Sequence, residues 1–485
     1  MMAAAANTPM MTLGQVAAWL PATAAVGDQD VAITRVHTDT RTLQAGDLFV
    51  ALRGENFDAN SMLLAAKSAG AVAAICHPGA SGGFAITGLP CIEVDDTLAA
   101  LGTLATCWRA QFSLPLIAVA GSNGKTTVTQ MVASILRVAQ PDATLATQGN
   151  LNNEIGLPLT LLRLRASHRL AVVELGMNHP GEIARLAAIA RPTVALVNNA
   201  QREHLEFMAT VQAVAQENGA VLTALPADGV AIFPADDDYA PVWRDLAGTR
   251  PLATFAWEGD ADVTADEPRW IDGAWQVHAH TPLGPLDYRL HIAGRHNVKN
   301  SLAAISCALA AAVPPQAVVR GLESFEPVQG RSRALAVLLD QHPLTLVDDC
   351  YNANPDSVLA AIDVLAALPG PRLLVLGDMG EVGDQGPKFH AEVGAQARRV
   401  RLEHLLTLGE LSRHTAKSFG AGQHFDDVEA LNAAVLALLP RVSSVLVKGS
   451  RFMRMVRVVD FVIAHTEPRP RSAKVHQPAE APDAA

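Results

Sequence analysis

Aromatic side chains are scarce here: 13 Phe, 6 Trp and 3 Tyr make up 5% of 485 residues. The cores must be built mainly from Ala, Val and Leu, which suits helices packed on sheets. The five cysteines, Cys76, Cys91, Cys107, Cys307 and Cys350, are odd in number and include no CxxC pair. That excludes a disulfide framework and a zinc ribbon and fits a reducing compartment. Charged residues are only 18%, yet 49% of the chain is hydrophobic, so a largely disordered chain is excluded. Acidic residues (48) outnumber Lys and Arg (37), giving a net charge of −11. A general polyanion-binding surface is excluded, while a local anion site built from backbone amides is not. No apolar run is long enough to span a bilayer; residues 302–313 come nearest and contain a serine. The start, MMAAAANTPMM, lacks a basic region followed by an apolar one, and Met10 or Met11 is a candidate first residue. The expectation is a soluble cytoplasmic protein that binds no nucleic acid and inserts in no membrane.

Several motifs are also missing. There is no HExxH, no GxGxxG and no repeat of fixed period. Residues 79–83 match GxSxG by letters, but no helical pattern follows, which argues against a hydrolase elbow.

At roughly 150 residues per domain the length predicts three domains, with two large ones as the alternative. Within a first domain of residues 12–112, residues 31–110 alternate short strands (DLFVAL, AVAAIC, CIEV) with Ala-rich helices, and QFSLP at 111–115 reads as a hinge. Residues 113–325 repeat strand and helix (LIAVAG, LAVVELG, TVALVNNA), which favours a parallel sheet covered on both faces. Within them 250–292 reads as short antiparallel strands. Residues 326–465 begin a second α/β alternation with LTLVDDC, RLLVLGD, HLLTLGE and SVLVKG. The Pro-rich segment 466–485 is expected to be a disordered tail. The fold class is α/β.

The strongest motif is GSNGKTT, comprising Gly121, Ser122, Asn123, Gly124, Lys125, Thr126 and Thr127. It follows a strand and opens a helix, as a phosphate loop must. Val119 stands where the longer GxxxxGK[ST] pattern has its first glycine. Lys125 is placed to reach phosphates, and Thr126 to ligate Mg²⁺. Glu174 ends a buried strand, where a metal ligand or a water-orienting group belongs; a solvated strand-end carboxylate is the alternative. His204 follows another strand and is by itself an ordinary loop histidine. In GRHNVKNSLAA, Asn297 and Asn300 share one face of a first helical turn, fit either to read a base edge or to cap the helix. In DDCYNANPDS, Asp349, Tyr351 and Asn352 crowd a strand's C-terminal edge, with Asn354 as cap and Pro355 in the first turn. Asp378 and Glu381 repeat that placement. Lys448, Gly449, Ser450 and Arg451 end a further strand.

Taken together these segments resemble the Mur ligases, over residues 12–464. The resemblance rests on VHTDTRTLQAGDLFVALRGENFDAN, GSNGKTT, TQGNLNNEIGLPLTLL, ELGMNHPGEI, EHLE, GRHNVKNSLAA, DDCYNANPDSV, LGDMGEVG and VKGSRFMRM. DDCYNANPDS and VKGSR point to the dipeptide-adding branch, and the DNPR motif of the diaminopimelate- or lysine-adding branch is absent. The family implies an N-terminal UDP-sugar domain, a central P-loop ATPase with a parallel sheet, and a Rossmann-like C-terminal domain. It implies ATP and Mg²⁺ as cofactors, and UDP-MurNAc-tripeptide and D-Ala-D-Ala as substrates of a monomeric, ADP-forming ligase. Residues 121–127 would hold the ATP phosphates, and Thr126, Glu174 and His204 would bind Mg²⁺. His296, Asn297 and Asn300 would face adenine. Arg331, Asp349, Tyr351, Asn352 and Lys448 would complete the nucleotide and transfer site, with Lys125, Glu174, His204 and Lys448 catalytic. Thr38, Asp39, Thr40 and Arg41 would meet UDP; Asn150, Asn152 and Asn153 would meet the muramoyl-peptide.

Two departures stand out. Many Mur ligases carry a carbamylated lysine after EHLE, whereas VQAVAQENGAVLTALP has no lysine and places Glu217 or Asn218 nearest that position. The family's DGH reads Asp58-Ala59-Asn60. Two other readings share the loop: a folylpolyglutamate synthetase-like ligase and a non-catalytic nucleotide-dependent switch.

Overall fold

Short aliphatic runs build the first sheet from β1 (Ala24–Val26), β2 (Arg35–His37), β3 (Asp47–Val50), β4 (Ala71–Cys76) and β5 (Cys91–Glu93). Their order is β1-β5-β4-β3-β2, and only β1 runs antiparallel. The computed structural model describes residues 8–54, 57–80 and 87–468. Positions 81–83 of the GxSxG look-alike and 469–485 of the expected tail lie outside them.

Helix α1 (Thr97–Arg109) starts at Asp96, whose carboxylate accepts the amides of Leu98 and Ala99. It ends on Arg109, which is buried. The Arg109 guanidinium donates to the carbonyls of Phe112, Leu114, Ala190 and Arg191. The hinge expected at 111–115 is thereby corrected. The segment is pinned to the central domain by a cation with several acceptors, and both domains fall in one unit, Met1–Pro327 with Glu381–Gly383.

The central sheet contains β6 (Leu116–Ala120), β7 (Thr144–Ala146), β8 (Leu170–Glu174), β9 (Val194–Val197), β10 (Val230–Pro234) and β11 (Leu252–Phe255). All are parallel, in the order β11-β10-β9-β6-β8-β7. Side chains alternate between two cores, as a strand's period of two requires. Leu116, Ala118 and Ala120 enter one core with Ala171 and Val173, while Ile117 and Val119 enter the other with Leu170 and Val172. The second core is closed by α2 (Lys125–Ala139), whose Val128, Met131, Val132, Ile135 and Leu136 recur at helical spacing. The first is closed by α1, α3 (Glu182–Ala190) and, beyond the short α4 (Leu205–Met208), α5 (Val211–Thr223). Most of this packing is aliphatic, as the shortage of aromatics dictates.

The antiparallel region starts later than expected, because β11 belongs to the parallel sheet. It comprises β12 (Thr264–Ala265), β13 (Arg269–Ile271), β14 (Ala274–His280) and β15 (Leu286–Leu290), with β14 central. Strand β15 leads into α6 (Arg295–Ala310).

The second unit covers Val328–Gly380 and Asp384–Ala485. Its strands are β16 (Arg333–Leu339), β17 (His342–Asp349), β18 (Arg372–Gly377), β19 (His404–Leu408), β20 (Gln423–Phe425), β21 (Ser444–Lys448) and β22 (Glu467–Pro468). They lie in the order β20-β19-β18-β21-β17-β16-β22. The core is parallel, and β16 pairs antiparallel with both β17 and β22. Residues 467 and 468 were expected in the tail; instead they pair with Leu338 and Val337, whose edge offered open hydrogen-bonding groups. Helix α7 (Pro355–Ala366) follows β17 and carries the expected cap, with Asn354 Oδ1 accepting the Ser357 amide at 2.9 Å. The three large sheets correspond to the three domains expected from length. Among the described residues no helix is long and apolar enough to cross a membrane.

Candidate active site

The order of the central sheet creates a place for a ligand. The chain leaves β6 toward β7 and β8 on one side and returns to β9 on the other. A crevice opens at such a switch point, outside the carboxyl ends of the strands. Register sets the groups there side by side: Glu174 pairs with Val119, and Val197 with Ala120. The loop 121–124, Glu174 and the segment from Asn198 onward therefore leave the sheet along one edge.

Asparagines shape the loop. Asn218 Oδ1 accepts the Gly121 amide at 2.9 Å, the Asn199 carbonyl accepts the Ser122 amide at 3.1 Å, and Asn199 Oδ1 accepts the Asn123 amide at 2.8 Å. Asn198 and Asn199 each donate a side-chain amide to the Asn123 carbonyl. The amides of Gly121, Ser122 and Asn123, expected to face phosphates, are engaged within the protein. The motif ends at the N-terminus of α2. Gly124 is its N-cap, in a left-handed conformation (φ +82°). A Cβ there would sit 2.6 Å from Asn300 Oδ1 and 2.7 Å from Asn198 Nδ2, so only glycine fits.

Asn297 and Asn300 belong to this brace. Asn300 Nδ2 donates to Asn297 Oδ1 at 2.9 Å, Asn297 Nδ2 donates to the Ala293 carbonyl at 2.7 Å, and Asn198 Nδ2 donates to Asn300 Oδ1 at 3.0 Å. Both are buried, so each has a bracing role beside any contact with adenine; His296, on the same first turn, is exposed. Asn300→Ala leaves Asn297 Oδ1 without its donor, so unfolding stability should fall by about 1–3 kcal/mol. ATP and GTP affinities should weaken by a common factor, because a brace does not distinguish bases. Denaturant unfolding and nucleotide titration measure the two effects.

Lys125 folds back over the loop. Its Nζ donates to the Gly121 carbonyl at 2.6 Å, to the Ser122 carbonyl at 3.0 Å and to Glu203 Oε1 at 2.9 Å. Glu203 is a candidate site residue that sequence reasoning missed. It sits in the quoted EHLE motif, but only the fold places it on Lys125. His204, next to it, adopts a left-handed backbone (φ +51°) at the N-cap of α4, a conformation that costs about 1 kcal/mol for a residue with Cβ. Its Nε2 lies 3.6 Å from Glu203 Oε1.

Glu174 is buried, with Oε1 accepting from Asn152 Nδ2 at 2.7 Å. Its Oε2 and the Oε2 of Glu203 are buried without hydrogen-bond partners. An anionic oxygen left bare in the interior is costly unless a cation meets it. Carboxylates and a threonine hydroxyl suit a hard divalent ion such as Mg²⁺, so the residues present fit one. Neither candidate for the missing lysine is an open carboxylate. Glu217 accepts the amides of Gly181 and Ile183, both at 2.8 Å, at the N-terminus of α3. Asn218 holds Gly121, with Nδ2 buried and unpartnered.

The residues expected at the substrate differ in their surroundings. Asp39 caps the turn Thr40–Thr42 and holds the Arg41 guanidinium at 2.6 Å, which lowers its carboxyl to about 2. Arg41 itself is exposed. Thr38 precedes this pair and Thr40 lies within it, and Asn150 is exposed on the loop before Asn152. Asn153 Oδ1 accepts the amides of Ile155 (3.3 Å) and Gly156 (2.9 Å) ahead of the helix Gly156–Leu161, and the residue is exposed.

The second unit carries its own cluster. Strand pairing sets Asp349 opposite Lys448, and Lys448 Nζ donates to Asp349 Oδ2 at 2.6 Å and to the Asn352 carbonyl at 2.9 Å. Lys448 is buried in this pair and holds the loop after β17. Arg331 stacks over the Tyr351 ring at 4.2 Å, and the Asn352 side chain is exposed. Asp378 is corrected to a structural group: its buried carboxylate accepts the amides of Glu410, Leu411 and Ser412.

The Mur ligase middle domain matches residues 119–308, and the Mur ligase glutamate ligase domain matches residues 331–451. A UDP-N-acetylmuramoyl-tripeptide–D-alanyl-D-alanine ligase of Escherichia coli (strain K12) is 39% identical over 433 residues, covering 89% of this chain and 94% of that protein. The chain belongs to the Mur ligase family. As a Mur ligase it superposes on MurF from Acinetobacter baumannii with a TM-score of 0.83 at 32% identity, covering 93% of this chain and 99% of that one. MurF from Thermotoga maritima in complex with ADP gives a TM-score of 0.78 at 25% identity, covering 89% and 97%. In this Mur ligase the phosphate loop and Glu174 fall within the middle-domain match, and Asp349 and Lys448 within the second match.

Proposed function

We propose that this Mur ligase joins D-alanyl-D-alanine to UDP-N-acetylmuramoyl-tripeptide with conversion of ATP to ADP, supplying the pentapeptide precursor of peptidoglycan in the cytoplasm. The observation that carries the reading is the braced phosphate loop at the central switch point, in a chain whose likeness to dipeptide-adding ligases runs nearly end to end. Residues 12–112, 113–325 and 326–465 are proposed as substrate, ATPase and closing domains of a monomer.

The chemistry follows from a poor electrophile. A carboxylate resists amine attack, so a terminal carboxylate oxygen of the tripeptide first attacks the γ-phosphorus of ATP and ADP leaves. The dipeptide amine then attacks the acyl carbon, loses a proton, and expels phosphate. Lys125 offsets charge on the transferring phosphoryl group. When bound, Mg²⁺ supplies charge neutralisation on the phosphates, with Thr126, Glu174 and His204 proposed to hold it and Glu203 beside them. The proposed contacts of Thr38, Asp39, Thr40 and Arg41 with UDP, and of Asn150 and Asn152 with the muramoyl-peptide, complete the site.

Phosphate release tests the reading. Release from ATP should require both UDP-MurNAc-tripeptide and D-Ala-D-Ala, and should not change when CO₂ is depleted or bicarbonate added, because Asn218 cannot form a carbamate. Stimulation by a folate, or slow hydrolysis indifferent to both substrates, would overturn it.

A further inference from the structure

The small antiparallel sheet carries a cluster with no part in the chemistry above. His278 and His280 stand two apart on β14, so they share one face. On one side, register sets Asp287 of β15 opposite His278, and His278 Nδ1 meets Asp287 Oδ1 at 2.7 Å. On the other side, Asp266 follows β12; its amide donates to the His278 carbonyl, and its Oδ1 meets His280 Nε2 at 2.9 Å. The two imidazoles lie edge to face, 5.0 Å apart. One ligand atom from each of Asp266, His278 and His280 falls within 4.8 Å of the others.

We propose that Asp266, His278 and His280 form a binding site for a transition-metal ion of the Zn²⁺ class, with Asp287 orienting His278. Ligand atoms around a tetrahedral zinc lie about 3.3 Å apart, given bonds of about 2.0–2.1 Å. Small side-chain rotations close the present spacing to that value. Two imidazoles with one carboxylate favour Zn²⁺, Ni²⁺ or Cu²⁺ over Mg²⁺ and Ca²⁺, which prefer all-oxygen sites. His278 donates its Nδ1 proton to Asp287 and so keeps its Nε2 lone pair for the ion, which is how outer carboxylates orient metal-bound histidines. His280 meets Asp266 through Nε2, and an ion entering between them replaces the proton they share. The fourth position is left to water. The ligands are exposed or half-buried and reachable from solvent.

The test is a Zn²⁺ titration of the full chain by calorimetry, without nucleotide and with Mg²⁺ in excess to occupy the oxygen-rich site near Glu174. Co²⁺ serves as a second probe for its visible absorption. One Zn²⁺ per chain is expected, with the intense bands of four-coordinate Co²⁺. His278→Ala/His280→Ala should abolish this binding and Asp287→Asn should weaken it about tenfold. Stability and phosphate release should stay unchanged, since these side chains lie at the surface. Equal Zn²⁺ affinity in the double variant, or no saturable binding to the unchanged chain, would overturn the proposal.

Discussion

Replacing Lys125 with alanine should remove ligation and, at the same time, destabilise the free protein. The activity loss follows from charge: in the proposed reaction the ammonium at the head of α2 offsets the negative charge that the phosphoryl group gains as it transfers. Removing one preorganised donor of that kind costs about 10²–10³-fold in turnover. The stability loss follows from Glu203. Lys125 and Glu203 are only 13% and 10% exposed, and their ion pair is 2.9 Å long. Removing one member of a nearly buried pair leaves an uncompensated charge, at a cost of about 3–5 kcal/mol. The Lys125→Ala/Glu203→Gln double variant should recover most of that stability without recovering turnover. Denaturant unfolding and phosphate release, run on the same three proteins, separate the effects. Near-normal ligation by Lys125→Ala would sink the site assignment; unchanged stability would sink the role given to Glu203.

Glu174→Gln should act in the opposite sense on stability. Oε1 already accepts from Asn152, and a glutamine oxygen keeps that bond. Oε2 is a buried carboxylate oxygen without a partner, so neutralising it lifts a penalty that the free protein carries. In metal-free buffer the variant should unfold at the same or a higher denaturant midpoint. Turnover should nevertheless fall by about 10²-fold or more, as expected when a group stabilising transition-state charge is lost. Magnesium should stabilise the unchanged protein by about 2.7 kcal/mol at a hundredfold excess over its dissociation constant. That increment should vanish in Glu174→Gln. A Mg²⁺ increment that survives the substitution would place the ion elsewhere.

The parts of the site legible in sequence are those with local causes. GSNGKTT declares itself because strand, glycines, lysine and helix follow one another directly. Asn354 and Pro355 declare a helix start for the same reason. Glu203 and Asn198 do not, because their partners, Lys125 and Asn300, are 78 and 102 positions away. The Asn297–Asn300 spacing was correctly placed on one helical face, yet whether that face meets a base or a neighbouring loop depends on which element packs against α6. Lys448 and Asp349 were each found at a strand end, but their mutual neutralisation depends on the pairing of β21 with β17.

By itself the sequence determined the α/β class, the three-part organisation, the phosphate loop and the aliphatic character of the cores. Each follows from periodicity, composition or a short motif, all properties of neighbouring residues. Only the tertiary structure decided that Arg109 welds the first two domains together, that asparagines accept the first loop amides, and that two carboxylate oxygens are left bare beside the loop. The reason is physical: a buried polar group takes its partner from whatever the fold brings within about 3 Å, and that distance carries no trace along the chain.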